Sequence, residues 1–179
     1  YIGCNQAIES PLAIQLGSND PTILGNAVEI IENLNIFNEI NLNSGCPSNK
    51  AKKCGYGVEL MMDIDLMREI VYTMNRKSNN TKITIKCRIG TNRLNGWENL
   101  VRYIDTCKSS GSNEIIVHSR ICMMNGLTPA QNRTIPPLNY DIVHDLVKTF
   151  PDMKFTINGG IKTFDDINLH LGIHSYLLD

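Results

Sequence analysis

The sequence has no CxxC pair and no cysteine–histidine spacing of the zinc type, although it carries six cysteines, at positions 4, 46, 54, 87, 107 and 122. That argues against a structural metal and fits thiols kept reduced, hence a cytoplasmic or organellar setting. The chain also lacks a charge excess. Seventeen Lys and Arg against 18 Asp and Glu leave a formal net charge of −1, so no global field draws it to nucleic acid or an anionic membrane, and any basic surface is local. No apolar run reaches the roughly 20 residues a bilayer requires. No charged-then-apolar leader opens the chain, and no linker, low-complexity block or solenoid repeat interrupts it. Tyr1 implies that the natural start lies upstream. What remains is 179 residues with 42% hydrophobic content, enough to bury one sizeable core as one domain or part of a larger one. Asparagine clusters such as Ser78-Asn79-Asn80 read as turn and loop filler.

What is present alternates. Leu12 to Leu16, Glu39 to Asn43, Ile83 to Cys87, Glu114 to His118 and Lys154 to Asn158 are short, rich in β-formers and turn-bounded, the pattern of buried parallel strands. Between them lie helical patterns. Asp20-Pro21 supplies an N-cap and a proline at the first helical position, ahead of Ile23, Leu24, Ala27, Val28, Ile31 and Leu34. Further helices are predicted over roughly 63–76, 97–109 and 141–150, and one more opening at Thr163, with Asp166 in the reciprocal position of a capping box. Five strands each followed by a helix predict parallel pairing in sequence order, in an open doubly wound sheet or a (β/α)8 barrel.

Gln15, Asn43, Lys86, His118 and Asn158 each stand at or near the C-terminal end of a different predicted strand. A barrel brings such residues onto one face around a common axis, whereas an open sheet spreads them out. Any one of them alone could be an ordinary strand terminator; five in register favour the barrel.

NLNSGCPS from Asn41, KCRIG from Lys86, His118-Ser119-Arg120, GLTPAQNRTIPPLNY from Gly126 and INGGIK from Ile157 together resemble the tRNA-dihydrouridine synthases, in their bacterial and plastid-like branch. The similarity runs from about Pro11 to Asp179, and the segment from Gly126 to Tyr140 is its most distinctive part. The resemblance implies an α/β fold, a flavin-binding (β/α)8 TIM barrel followed by a small helical domain. It also implies NADPH-dependent reduction of the C5–C6 double bond of D-loop uridines in tRNA through FMN. Residues 1–179 would then be part of the barrel catalytic domain, without the first two strands, the last strand and its Gly-Arg phosphate contact, or the C-terminal helical tRNA-binding domain. This piece alone is expected to bind FMN weakly or not at all. A monomer is expected, with no membrane partner and no metal.

Matched motif to motif, the resemblance puts the chemical acid on Cys46. Hydride delivery to C6 of uracil builds negative charge at O4 and C5, and an ordinary thiol, mostly protonated at neutral pH, can supply the proton that C5 needs. A small thiol filling the turn Gly45-Cys46-Pro47 is the plain alternative for the cysteine taken alone. Lys86 resembles the lysine at the N1–C2 edge of the flavin, Asn43 the asparagine beside flavin and target base, Gln15 a residue hydrogen-bonding the isoalloxazine, and His118 the histidine at the cofactor. Asn158, Gly159 and Gly160 resemble a phosphate loop. For RNA the candidates are Lys50, Lys52 and Lys53 beside the cysteine loop, Arg88 and Arg93 after the lysine strand, and Arg120 and Arg133; a target uridine must be turned out of its stack to reach them. Glu59 departs from the family pattern, and Cys54 and Cys87 are extra thiols. Two other readings of the residues stand beside this one: an FMN-barrel reductase of a free pyrimidine, similar to dihydroorotate dehydrogenases, and a non-catalytic RNA-binding relative.

Overall fold

The computed structural model describes residues 9–175, with the side chains of residues 173–175 outside the description. Five strands, β1 (Ala13–Leu16), β2 (Glu39–Asn43), β3 (Lys82–Arg88), β4 (Glu114–His118) and β5 (Lys154–Asn158), pair in that order. All four pairings are parallel. The helices are α1 (Pro21–Leu34), α2 (Asn49–Lys53), α3 (Ile64–Lys77), α4 (Trp97–Ser109), α5 (Asp141–Thr149) and α6 (Phe164–Ser175). Among the described residues the arrangement is an arc of a β/α barrel with β1 and β5 at its two edges.

The two faces of the sheet differ in chemistry because strand side chains alternate. Ile40, Leu42, Ile83, Ile85, Cys87, Ile115 and Val117 are buried in one core with Leu24 and Val28 of α1, Met67, Ile70 and Met74 of α3, and Leu100, Tyr103 and Ile104 of α4. On the other face the register sets Gln15 level with Asn41 and Asn41 level with Thr84, and, one step further along the strands, Asn43 level with Lys86. This inner face is polar, where small barrels are usually filled with branched aliphatic side chains. The two edge elements keep large apolar side chains in solvent, Ile23 and Ile30 on α1 and Phe164, Leu169 and Leu171 on α6.

The two caps expected from the sequence, at Asp20 and at Thr163 with Asp166, are present. Asp20 Oδ1 accepts from Thr22 N at 2.8 Å and Ile23 N at 3.0 Å, and α1 ends in a left-handed Asn35. Asp63 caps α3 through Leu66 N. Before α6, Asp166 Oδ2 accepts from Thr163 N while Thr163 Oγ1 accepts from Asp166 N, which is the reciprocal pair expected there. The helix α2 and the 3-10 turns Gly57–Met62 and Gln131–Arg133 were not predicted, since one or two turns are too short to show a 3.6-residue period.

Ser78-Asn79-Asn80, which reads as loop filler, is clamped. Glu32 of α1 accepts from Ser78 Oγ at 2.8 Å, Thr81 N at 2.9 Å and Asn80 N at 3.2 Å, joining α1 to the turn that launches β3. Partial burial alone would raise the pKa of this carboxyl, but the hydrogen bonds from Thr81, Ser78 and Asn80 outweigh it and hold the pKa at about 2. The folded pKa lies below the ordinary 4.5, so the stabilisation is fully present above about pH 4.5 and is lost as pH falls toward about 2. Glu32→Ala in the intact protein is expected to cost about 1 kcal/mol at pH 7, a figure kept small by solvent screening. Denaturant unfolding across pH should show its difference from wild type shrinking below pH 4.5; a difference that persists at pH 2 contradicts the clamp.

Candidate active site at the C-terminal ends of the strands

The turn after β2 is built around one side chain. Asn43 Oδ1 accepts from Gly45 N at 3.2 Å and Cys46 N at 3.1 Å, an Asx-type turn that reverses the chain at the strand end. Ser44 N donates to Lys86 O, and the Ser44 hydroxyl accepts from the buried Tyr103 Oη at 2.8 Å, so α4 holds the turn from below. From the other side Val58 N donates to Cys46 O. At Gly57, with φ +67°, a Cβ would stand 2.6 Å from that same oxygen, which explains the glycine of GYG. Cys46 is left half-buried with a free thiol. Ser48 then caps α2 through Ala51 N, putting exposed Lys50 and Lys53 and half-buried Lys52 on the rim.

Lys86 donates to Asn158 Oδ1 across the arc at 2.8 Å. Burial, together with Arg88, lowers its pKa. Arg88 is 4% exposed. Its Nε donates to Gly45 O at 3.1 Å and its Nη1 to Asn132 O at 3.0 Å and Ile121 O at 3.2 Å. The guanidinium thus splints the cysteine turn to the loop after β4, where the sequence alone predicts an RNA contact. Arg120 Nη1 donates to Pro136 O, and its Nε is buried without a partner.

Beyond β4, Ser119 N donates to Asn158 O, Asn139 N to Ser119 O and Tyr140 Oη to Gly159 O. Gly159 and Gly160 both have positive φ, and a Cβ at Gly160 would lie 2.5 Å from Leu138 Cδ1. Buried Asn132 takes Met123 N on its oxygen and donates to Met123 O, which shapes the loop between.

These elements enclose a cavity of about 260 Å³ lined by Gln15, Asn43, Cys46, Pro47, Lys86, Arg88, His118, Pro129, Arg133 and Asn158, among others. A second, of about 550 Å³, shares His118, Arg133 and Asn158 and reaches Gly159 and Gly160. Every residue expected from strand ends is therefore at this common space. Lys50, Lys53 and Arg120 do not line it, and Cys54 is exposed on the far end of α2. Cys87 borders the cavity with its thiol buried and pushed up to about 12. The contributions of Asn132, Tyr103 and Gly57 were not read from the sequence: each acts by reaching a backbone or side chain distant in the chain. Only the glycine between Tyr56 and Val58 offered a local signal.

His118 carries the clearest electrostatic signature. Burial first, then the positive charges of Arg88, Lys86, Arg120 and Arg133, pull its pKa down to about 4, and its Nδ1 is buried without a hydrogen-bond partner. The neutral ring faces a site whose surroundings are cationic.

The profile of the family described as Dihydrouridine synthase (Dus) matches residues 3–175. The chain belongs to the dihydrouridine synthase family. Among curated relatives, a tRNA-dihydrouridine(20/20a) synthase of Pasteurella multocida is 39% identical over 163 residues, covering 91% of this chain and 49% of its own length. Similarly named proteins of Haemophilus ducreyi and Synechocystis are 40% and 39% identical, over 91% of this chain and 50% and 48% of theirs. The chain thus spans about half the length of the curated relatives it matches. A crystal structure from Coccidioides immitis, titled as of the dihydrodipicolinate synthase family, superposes with a TM-score of 0.50 at 12% identity, over 83% of this chain and 41% of that one; this likeness concerns the fold alone. In this member of the dihydrouridine synthase family no helix among the described residues is long and apolar enough to cross a membrane. Among the same residues no group of three His, Cys, Asp or Glu could hold a metal ion.

The depressed pKa of His118 fixes the sign of its pH dependence. The folded state binds the proton less well than the unfolded chain, so its contribution to stability is present above about pH 6.5 and is lost as pH falls toward about 4. An NMR titration of the His118 ring in the intact protein should show a midpoint near pH 4; a midpoint near 6.5 would contradict the cationic surroundings.

Proposed function

We propose that the intact protein reduces uridine in the D-loop of tRNA to 5,6-dihydrouridine, with FMN in the common cavity, NADPH as electron donor and Cys46 as the acid. The observation that carries this reading is the convergence of Gln15, Asn43, Cys46, Lys86, His118 and Asn158 on one cavity in a chain of this family. Residues 1–179 then form part of a flavin-binding barrel, and the protein acts as a monomer in the cytoplasm or an organelle.

The residues fit FMN. The unpartnered Nδ1 of His118 awaits a polar partner, and the two cavities share His118, Arg133 and Asn158 in their lining. Gly159 and Gly160 let a phosphate approach the backbone where side chains would not fit. When bound, FMN supplies the hydride for C6 of the uracil ring.

The chain's own residues do the rest. Lys86, steadied by Asn158, would help hold the flavin with its remaining N–H groups. Asn43, whose oxygen holds the Cys46 turn and whose nitrogen donates to Gln15, would border the bound flavin from the strand end. Cys46 Sγ gives its proton to C5: the S–H bond breaks, a C5–H bond forms and a thiolate is left. The Arg88 guanidinium, bonded to Gly45 O, holds the turn that carries the sulfur. Lys50, Lys52, Lys53, Arg93 and Arg133 supply local positive charge for tRNA phosphates on a chain without net positive charge.

Cys46→Ala is expected to slow single-turnover oxidation of the reduced holoenzyme by tRNA by about 100-fold or more, the range of general-acid effects, with flavin content and NADPH oxidation retained. A near-normal rate in Cys46→Ala together with collapse in Cys54→Ala would move the acid to Cys54.

A further inference from the structure

A single chain of hydrogen bonds runs down the inner face of the arc from the cysteine turn to the opposite end of the strands. Gly45 N and Cys46 N donate to Asn43 Oδ1, and Asn43 Nδ2 donates to Gln15 Oε1 at 3.2 Å. Gln15 Nε2 donates to Asn41 Oδ1 at 2.7 Å, and Asn41 Nδ2 to Thr84 Oγ1 at 2.8 Å. Thr84 Oγ1 donates to Glu39 Oε1 at 2.6 Å. Every link points the same way, and the last acceptor is a carboxylate paired with Lys82, 3.2 Å from its Oε2. From Asn43 to Glu39 the chain covers roughly 13 Å of strand.

The direction is forced by chemistry. A primary amide has nearly the same shape with its oxygen and nitrogen exchanged, so only its partners decide which way it faces. An ionised carboxylate can only accept, so the Thr84 hydroxyl must spend its one proton on Glu39 and can then only accept from Asn41. That turns the Asn41 oxygen to Gln15, the Gln15 oxygen to Asn43, and the Asn43 oxygen to the two backbone N–H groups of the turn. Asn41 is 4% exposed and Thr84 fully buried, so water cannot replace the bond between them, and in such a setting each bond polarises the next. The Asn43–Gln15 bond at the upper end lies exposed and takes its direction from the buried links below and the turn amides above.

We propose that Glu39, Thr84 and Asn41, which do not line the cavity, are positioning residues that set the amide orientation of Gln15 and Asn43 and thereby hold the Cys46 turn in register. The catalytic part of this inference rests on the reading of Cys46 as the acid; the positioning part does not. Removing the Thr84 hydroxyl leaves Asn41 Nδ2 buried without an acceptor and frees the amides above it to rotate.

The test compares Thr84→Val, which keeps the shape, with Thr84→Ser, which keeps the hydroxyl, in the intact flavoprotein. Thr84→Val should speed hydrogen exchange of the Gly45 and Cys46 amides and lower the single-turnover rate with tRNA by roughly tenfold, while Thr84→Ser restores both. A role confined to packing would lower the melting temperature without a selective change at those two amides. Wild-type exchange in Thr84→Val, or a Thr84→Ser as defective as Thr84→Val, overturns the proposal. Should Thr84→Val not fold, Glu39→Met, which removes the acceptor for the Thr84 hydroxyl, is read by the same exchange measurement, with unchanged Gly45 and Cys46 protection as the overturning result. If wild-type protein neither holds flavin nor forms dihydrouridine, the proposed function falls while the exchange comparison still decides the positioning role.

Discussion

The site hangs on the side-chain amide of Asn43. Its oxygen closes the turn that carries Cys46, and its nitrogen ties that turn to Gln15 on the neighbouring strand. Parallel pairing makes this possible, because it sets Gln15, Asn41 and Thr84 side by side on three strands with side chains on one face. A one-residue slip of any strand would turn these groups into the helix-covered core and bring Leu42 or Ile85 to the inner face.

The two faces of the sheet therefore answer to different physics. The outer face, with its buried Ile, Leu, Val and Met side chains, supplies the hydrophobic stabilisation. The inner face is held by directional bonds among amides, a hydroxyl, a carboxylate and lysines, each of which costs stability if left unpaired in a buried place. Thr84 makes this concrete: fully buried, it both accepts from Asn41 and donates to Glu39.

Charge is distributed with the same asymmetry. Lys86, Arg88, Arg120 and Arg133 all act on His118, while Lys82 is matched at the other end of the strands by Glu39 and Glu114, which raise its pKa. A near-neutral molecule thus carries a cationic mouth at the C-terminal strand ends and a neutralised base. Such a mouth suits an anionic ligand without giving the whole protein a field.

Much of this was legible in the order of residues. Alternation of short β-rich runs with capped amphipathic stretches specified five parallel strands, and GCP, the lysine of KCRIG and INGGIK marked the strand ends where reactive groups gather. These features are local, encoded within a few residues by period, capping and turn chemistry. What only the tertiary structure decided is the fate of polar groups whose partners are far along the chain. Arg88 reads as an RNA contact in the sequence, yet its guanidinium spends itself on the carbonyls of residues 45, 121 and 132. Ser78-Asn79-Asn80 reads as filler, yet Glu32 grips it from more than 40 residues away. Asn41, Thr84 and Glu39 read as ordinary strand residues, and only the register of three strands joins them into one directed chain. Hydrogen bonds act over about 3 Å of space whatever the separation in sequence, so no window of sequence holds both ends of these bonds.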